Sequence, residues 1–181
     1  MIGCSNSSNR IRPLTLGTYW VYEVIDSMNG EQISSLTDTV RIDTVVTWGE
    51  KKWYGQKSRN NWFQRNDKDG LFTLVYDAAH PTGYSYLGWK YPAKAGDKWT
   101  TKDTINVELV STTETVTTQA GVYPNSYLYE IRLNTPEYGL ITEWKTWRKP
   151  GVGTVMVSTV SRWNGQVGSK TEKLVSFKIN D

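Results

Sequence analysis

The sequence predicts an all-β fold with minor helix, built as a strongly curved antiparallel meander sheet or an incomplete β-barrel. Three observations predict it. From residue 13 onward apolar residues recur with a period of two, and β-branched and aromatic residues dominate segment after segment. Asn-Gly and Asp-Gly pairs, which supply the positive φ angles of two-residue hairpin turns, stand between the runs. No window of helical period exceeds about ten residues.

The first strand is expected near 18–27, entered by a Pro13-led turn with a bend at Gly17 and ended by Asn29-Gly30. A long run follows at 32–48, with a break. In it Val40, Ile42, Val46 and Trp48 share one face, and Thr39, Arg41, Asp43 and Thr47 the other. Gly49-Glu50, Asp69-Gly70 and Pro81-Thr82-Gly83 punctuate strands expected near 51–58, 61–67, 70–76 and 84–90. In 104–118, Ile105, Val107 and Leu109 alternate with Asn106 and Glu108. In 122–134, beyond Ala120-Gly121, Tyr127, Tyr129, Ile131 and Leu133 alternate with Ser126, Glu130 and Arg132. Strands near 139–148, 153–163 and 167–179 complete the chain, the last two joined by Asn164-Gly165. Roughly ten to twelve strands must curl, close or split into two sheets. We read residues 13–181 as a single β domain and 1–12 as a tether.

Composition removes many function classes. The 181 residues carry 21 Lys and Arg against 18 Asp and Glu, a net charge of +3 with both signs interspersed, so no basic stripe argues for nucleic acid. One His and one Cys exclude an intramolecular disulfide framework and zinc sites that need several Cys or His ligands. No run approaches the roughly 18 apolar residues of a spanning helix. The unusual feature is the aromatic load, 9 Trp, 11 Tyr and 3 Phe.

The single cysteine, Cys4, follows Ile2-Gly3 and precedes the polar run Ser5-Asn6-Ser7-Ser8-Asn9. Ile2-Gly3-Cys4 resembles the end of a bacterial lipobox, which implies lipid attachment at Cys4 and a flexible tether behind it. A secretory signal needs a basic segment and about 7–15 apolar residues, which three residues cannot supply, so a signal segment is expected ahead of the chain as given. Several acyl chains, at about 0.8 kcal/mol per buried CH₂, would hold the protein stably on a membrane. By resemblance to lipoprotein sorting, Ser5 after the cysteine implies the outer membrane, facing the periplasm.

Pro13 to Trp20 and Pro92 to Trp99 share Pro, Gly and Trp at the same spacing. Both indoles are expected to plug the ends of the curled sheet. Pro13-Leu14-x-x-Gly17-x-x-Trp20-x-Tyr22, Gly121-Val122-Tyr123 and Trp147-x-x-Pro150-Gly151-Val152-Gly153 together resemble a group of uncharacterised bacterial lipoproteins common in the Bacteroidetes, Chlorobi and their relatives. That resemblance, from about residue 13 to 179, implies a curved sheet around an apolar hollow, similar to Lol-type lipoprotein carriers, although no long helical pattern is present to form their lid.

Candidate chemistry is sparse. His80 lies in a connecting segment and no Gly-x-Ser-x-Gly elbow accompanies it. Glu130 and Glu143 sit on neighbouring strands, but Glu130 falls on the polar face, where a solvated charge belongs. Asn66-Asp67-Lys68-Asp69-Gly70 has the oxygens of a calcium loop without a following acid and reads as a hairpin turn. Neither catalysis nor a metal or other cofactor is expected. What remains are aromatic rings. Trp144 and Trp147, three apart, should face opposite ways, and Tyr84, Tyr86, Trp89 and Tyr91 form a concentration. With Trp62, these are the expected binding residues. Two readings follow. One is an envelope lipoprotein whose sheet holds an acyl chain, a hydrophobic peptide or an envelope partner. The alternative is a glycan-binding module with Asn60, Asn61 and Gln64 beside Trp62.

Overall fold

A computed structural model describes residues 10–59, 62–102 and 104–180. Cys4 and its polar tether to Asn9, with Asn60 and Asn61, lie outside the described residues. Thirteen strands are present among those described: β1 Tyr19–Met28, β2 Glu31–Arg41, β3 Thr44–Trp48, β4 Lys51–Gly55, β5 Trp62–Asp67, β6 Gly70–Val75, β7 Tyr84–Lys90, β8 Lys98–Thr101, β9 Ile105–Thr118, β10 Gly121–Thr135, β11 Leu140–Lys149, β12 Gly153–Trp163 and β13 Gln166–Lys178. A 3₁₀ turn, Pro136–Tyr138, joins β10 to β11. The two Asn-Gly hairpins form as expected, with φ of 52° and 86° at Asn29 and Gly30 and of 46° and 78° at Asn164 and Gly165.

The strands make two antiparallel sheets. The larger has the order β2-β1-β13-β12-β11-β10-β9-β8 and the smaller the order β3-β4-β5-β6-β7. The larger is a meander from β8 to β13 onto whose last strand the N-terminal hairpin is added, Trp20 pairing with Phe177 and Met28 with Gly168. It curves strongly enough for the Ala120 amide, at the β9–β10 turn, to donate to the Leu174 carbonyl of β13 at 3.3 Å. The curved antiparallel sheet is present as expected, but it is not closed into a barrel: β2 and β8 are separate sheet edges, and the five strands between them in sequence form a second layer.

The split happens inside the run read as 32–48. At Ile42 the chain leaves the larger sheet: the Ile42 amide donates to the Thr18 carbonyl at 2.8 Å, and its carbonyl accepts from the Gly17 amide at 2.7 Å. Val40 and Ile42 therefore belong to the core between the sheets, while Val46 and Trp48 pack in a different cluster with Trp53, Phe63 and Leu74 on the outer face of the smaller sheet. That cluster is closed by Trp48 against Trp53, rings 6.0 Å apart and edge to face, and by the Arg65 guanidinium 5.0 Å above Trp53. Gly55 is needed there: an added Cβ would lie 2.6 Å from the Phe63 ring. Gly55→Val is expected to cost about 1–3 kcal/mol by overpacking, read from the urea midpoint.

The main core lies between the sheets. Tyr54, Leu71 and Trp89 of the smaller sheet meet Tyr22, Val24, Leu109, Tyr129, Val155 and Leu174 of the larger. The segment ahead of β1 enters this layer. Ile11 and Arg12 are buried although they precede the boundary expected at Pro13. The Gly151 amide donates to the Arg10 carbonyl at 2.8 Å, the Asn66 side chain donates to the Arg12 carbonyl at 2.8 Å, and the Arg12 guanidinium donates to Gln64 Oε1 at 2.7 Å. The Pro-Gly-Trp echo has two outcomes. Trp20 is completely buried, with Nε1 donating to the Val152 carbonyl at 2.7 Å. Trp99 is half-buried against Tyr129, its ring 5.9 Å away, and its buried Nε1 has no partner.

Candidate functional site: an aromatic cleft between the sheets

Along β5, β6 and β7 one face looks toward the larger sheet. The pairing of Trp62 with Val75, Gln64 with Thr73, and Thr73 with Tyr86 puts these residues on it. A bulge then intervenes, since Leu71 pairs with Trp89 but Phe72 with Leu87, and Gly88 is the extra residue. The bulge returns Trp89 to the face that carries Tyr86. A Cβ at Gly88 would approach Thr73 Oγ1 to 3.2 Å and the Leu71 carbonyl oxygen to 3.3 Å, so a side chain there would push against the opposing strand.

Facing this wall are Thr101 of β8, Lys102, Ile105 of β9 and Ile131 of β10, and the two sides enclose a cleft of about 200 Å³ with Trp62, Tyr86 and Trp89. Trp89 is fixed from the larger sheet. It meets Tyr129 edge to face at 5.1 Å, and the Arg148 guanidinium lies 4.3 Å over its ring. The Tyr129 hydroxyl donates to the Lys90 carbonyl at 3.0 Å, which locks β7 onto β10. Burial pushes the Tyr86 hydroxyl above its ordinary pKa, with nearby Tyr84 adding to the shift, so the Tyr86 ring stays a neutral contact surface at physiological pH. Thr101 contributes a buried hydroxyl without a hydrogen-bond partner. The cleft is thus mainly aromatic and aliphatic, with the unpaired Thr101 hydroxyl and Lys102 in its lining.

Trp62, Tyr86 and Trp89 are brought together here; the other expected residues are not. Tyr84 packs on His80 at 4.2 Å and on Tyr86 at 5.7 Å, and Tyr91 packs edge to face on Tyr127 at 5.5 Å. Trp144 pairs with Ile131 and Thr159, whereas Trp147 pairs with Leu128 and Met156, so the two indoles lie on opposite faces of β11. The sequence reading missed Thr73, Gly88, Thr101, Ile105 and Ile131. Of these only Ile105 and Ile131 carried a signal, as dry-face positions.

The acid candidates are engaged elsewhere. Glu130 pairs with Lys145 at 3.0 Å, and Glu143 with Arg162 at 2.8 Å, the Arg162 hydrogen bond holding the Glu143 carboxyl below its usual range. His80 Nδ1 lies 2.9 Å from Asp77 Oδ1 in an exposed turn. Asn66 is spent on the Arg12 carbonyl, and Asp67 on the Lys68 amide and on Arg65 at 2.7 Å. Among the described residues, no group of three His, Cys, Asp or Glu side chains is placed to hold a metal ion. A larger depression of about 560 Å³ at β8–β10 is ringed by Lys98, Glu108, Glu130 and Arg132, whose charges are already paired. Trp99 and Val107 also line it, but its rim is made of these exposed ion pairs, which are individually weak.

No family model matches the chain, and no curated protein matches it. Two solved structures align with it along most of its length. A "putative lipoprotein" from Parabacteroides distasonis is 16% identical, with a TM-score of 0.48, over 94% of this chain and 99% of its own. A "putative exported protein with YmcC-like fold" from Bacteroides fragilis is 16% identical, with a TM-score of 0.45, over 92% and 98%.

Proposed function

We propose that this protein is a non-enzymatic cell-envelope lipoprotein, anchored through Cys4 in the outer membrane and facing the periplasm. Its inter-sheet cleft receives one apolar side chain of a hydrophobic peptide or envelope partner. The cleft carries the reading: Trp62, Tyr86, Trp89, Ile105 and Ile131 enclose about 200 Å³. A dry cavity of roughly 150 Å³ accepts benzene, so this one suits a ring or a branched side chain, while drug-sized ligands occupy about 300–1,000 Å³. That size favours a partner's anchor residue over a whole acyl chain. The glycan alternative is less favoured at Trp62, because Gln64 is buried out of reach of a sugar, with its Oε1 accepting from Arg12.

Two measurements test this. Mass spectrometry of the N-terminal peptide from the native host is expected to show acyl mass on Cys4, and an unmodified thiol would refute the anchor. Titration with indole as probe, followed by methyl NMR, is expected to shift Ile105 and Ile131. Ile105→Phe, which fills the cleft, should weaken that binding about tenfold, equal to about 1.4 kcal/mol. Unshifted methyls at saturating indole would remove the cleft reading.

A further inference from the structure

The smaller sheet covers only part of the larger sheet's concave face. The residues that carry Trp20, Tyr22 and Val24 into the core continue, on the same face of β1, as Asp26 and Met28. Met28 pairs with Gly168 and Ser161 with Gly168, while Asp26 pairs with Lys170 and Lys170 with Thr159. These rows line an open groove of about 360 Å³ with Ile33 and Trp163. It lies at the end of the sheet marked by the Asn29-Gly30 and Asn164-Gly165 turns, away from the Arg10–Gly151 contact.

Trp163 is the centre of this groove. It sits diagonally across from Gly168, where an added Cβ would fall 3.0 Å from two carbons of the benzenoid ring. The missing side chain lets the indole lie over the β13 backbone, a packing that also shields the glycine. Beside this plate, Met28 and Ile33 extend an apolar floor, Ile33 being 65% exposed. Around it stand groups that donate and accept hydrogen bonds: Asp26, held by the Ser34 hydroxyl at 2.8 Å, Ser161, held by Thr142 at 3.1 Å, and Lys170, held by Glu172 at 2.8 Å.

An acyl chain would desolvate the hydrogen-bonding capacity these groups keep beyond those partners, since the Lys170 ammonium has three donors and the Asp26 carboxylate two oxygens, and a fully polar solute would leave the floor unused. A pyranose ring has both surfaces, an apolar face of C–H bonds and a rim of hydroxyls. We propose that this groove is a carbohydrate-binding site, distinct from the cleft, in which Trp163 stacks on a sugar ring while Asp26, Ser161 and Lys170 take its hydroxyls. The volume suits one or two sugar units, within the size range of small-ligand sites.

The probes are maltotetraose, cellotetraose and chitotetraose, titrated separately into the folded protein and followed by calorimetry and indole fluorescence. At least one should bind with a dissociation constant of about a millimolar or below. Trp163→Leu should weaken it at least about tenfold, and Trp163→Phe, which keeps a flat plate, should stay within about threefold, both variants retaining the wild-type far-UV spectrum. Lys170→Met gives a second reading that leaves the plate intact and should also weaken binding. Ile105→Phe should leave sugar binding unchanged, which separates this site from the cleft. Failure of all three sugars to bind, or equal binding by Trp163→Leu and wild type, overturns the proposal.

Discussion

Replacing Trp20 by Ala is expected to destabilise the fold by about 3–5 kcal/mol, the upper range for a buried aromatic truncated without collapse of the site. The ring is completely buried, its Nε1–H donates to the Val152 carbonyl, and the Arg12 guanidinium lies 4.2 Å over its face. Truncation therefore removes packing from three segments at once: β1, the turn before β12 and the N-terminal segment. It also leaves the Val152 carbonyl to find another donor, a loss of about 1 kcal/mol or more if that group stays buried. For a chain of this length the thermal midpoint should fall by about 2–4 °C per kcal/mol. Trp99→Ala is the control. Its ring is half-buried and its Nε1 bonds to nothing, so the expected loss is about half as large, measured by urea denaturation of both variants. Equal losses would contradict the assignment of Trp20 as the core member of the echoed pair.

That pair shows how far the sequence could be read. Local rules found the strands: alternation at Ile105–Val107–Leu109 and Tyr127–Tyr129–Ile131, and positive φ at the Asn-Gly turns, depend only on near neighbours. Alternation tells which residues share a face but not which sheet the face belongs to. Val40, Ile42, Val46 and Trp48 keep one pattern across the point where the chain changes sheets. For the same reason Trp20 and Trp99, identical in local context, end in different depths of the core. The pairing of β1 with β13 joins residues almost a whole chain apart, and nothing local announces it.

The cleft was partly legible. Tyr86 and Trp89 stand out as aromatics, but alternation alone would put positions 86 and 89 on opposite faces. Only the bulge at Gly88 brings them to one wall. Ile105 and Ile131 read only as dry-face positions, and nothing local shows that the smaller sheet faces them across a cleft. Trp163 is not legible as a site residue, because its placement depends on Gly168, a residue whose contribution is the absence of a side chain.

Arginines at core positions were not legible at all, and they lead to the second large effect. Arg148→Met is expected to stabilise the protein by about 1–3 kcal/mol at neutral pH, the range seen when buried charges give way to apolar residues of similar size. Arg148 is 5% exposed, its Nε and Nη1 have no hydrogen-bond partner, and no ion pair involving it or Arg12 is found among the described residues. Burial, followed by the nearby positive charge of Arg12, pushes its pKa down to about 9, well below that of a free guanidinium. At about 1.4 kcal/mol per pH unit, this is a penalty of a few kcal/mol. Stacking on Trp89 returns about 2 kcal/mol, which leaves the charge a net burden. Met keeps an apolar stem and a sulfur that packs well on the indole.

The pH dependence fixes the cause. Below about pH 9 the guanidinium is charged in both the folded and unfolded chains, and the full penalty is present. Above about pH 9 the folded protein releases the proton before the unfolded chain does, so the unfolded state binds more protons and wild-type stability rises with pH relative to Arg148→Met. The advantage of the variant should therefore be largest at pH 7 and smaller by pH 10, as read from paired urea midpoints. A variant that is less stable than wild type at pH 7 would mean that the buried guanidinium supports the layer between the sheets, and that its stacking on Trp89 outweighs its desolvation.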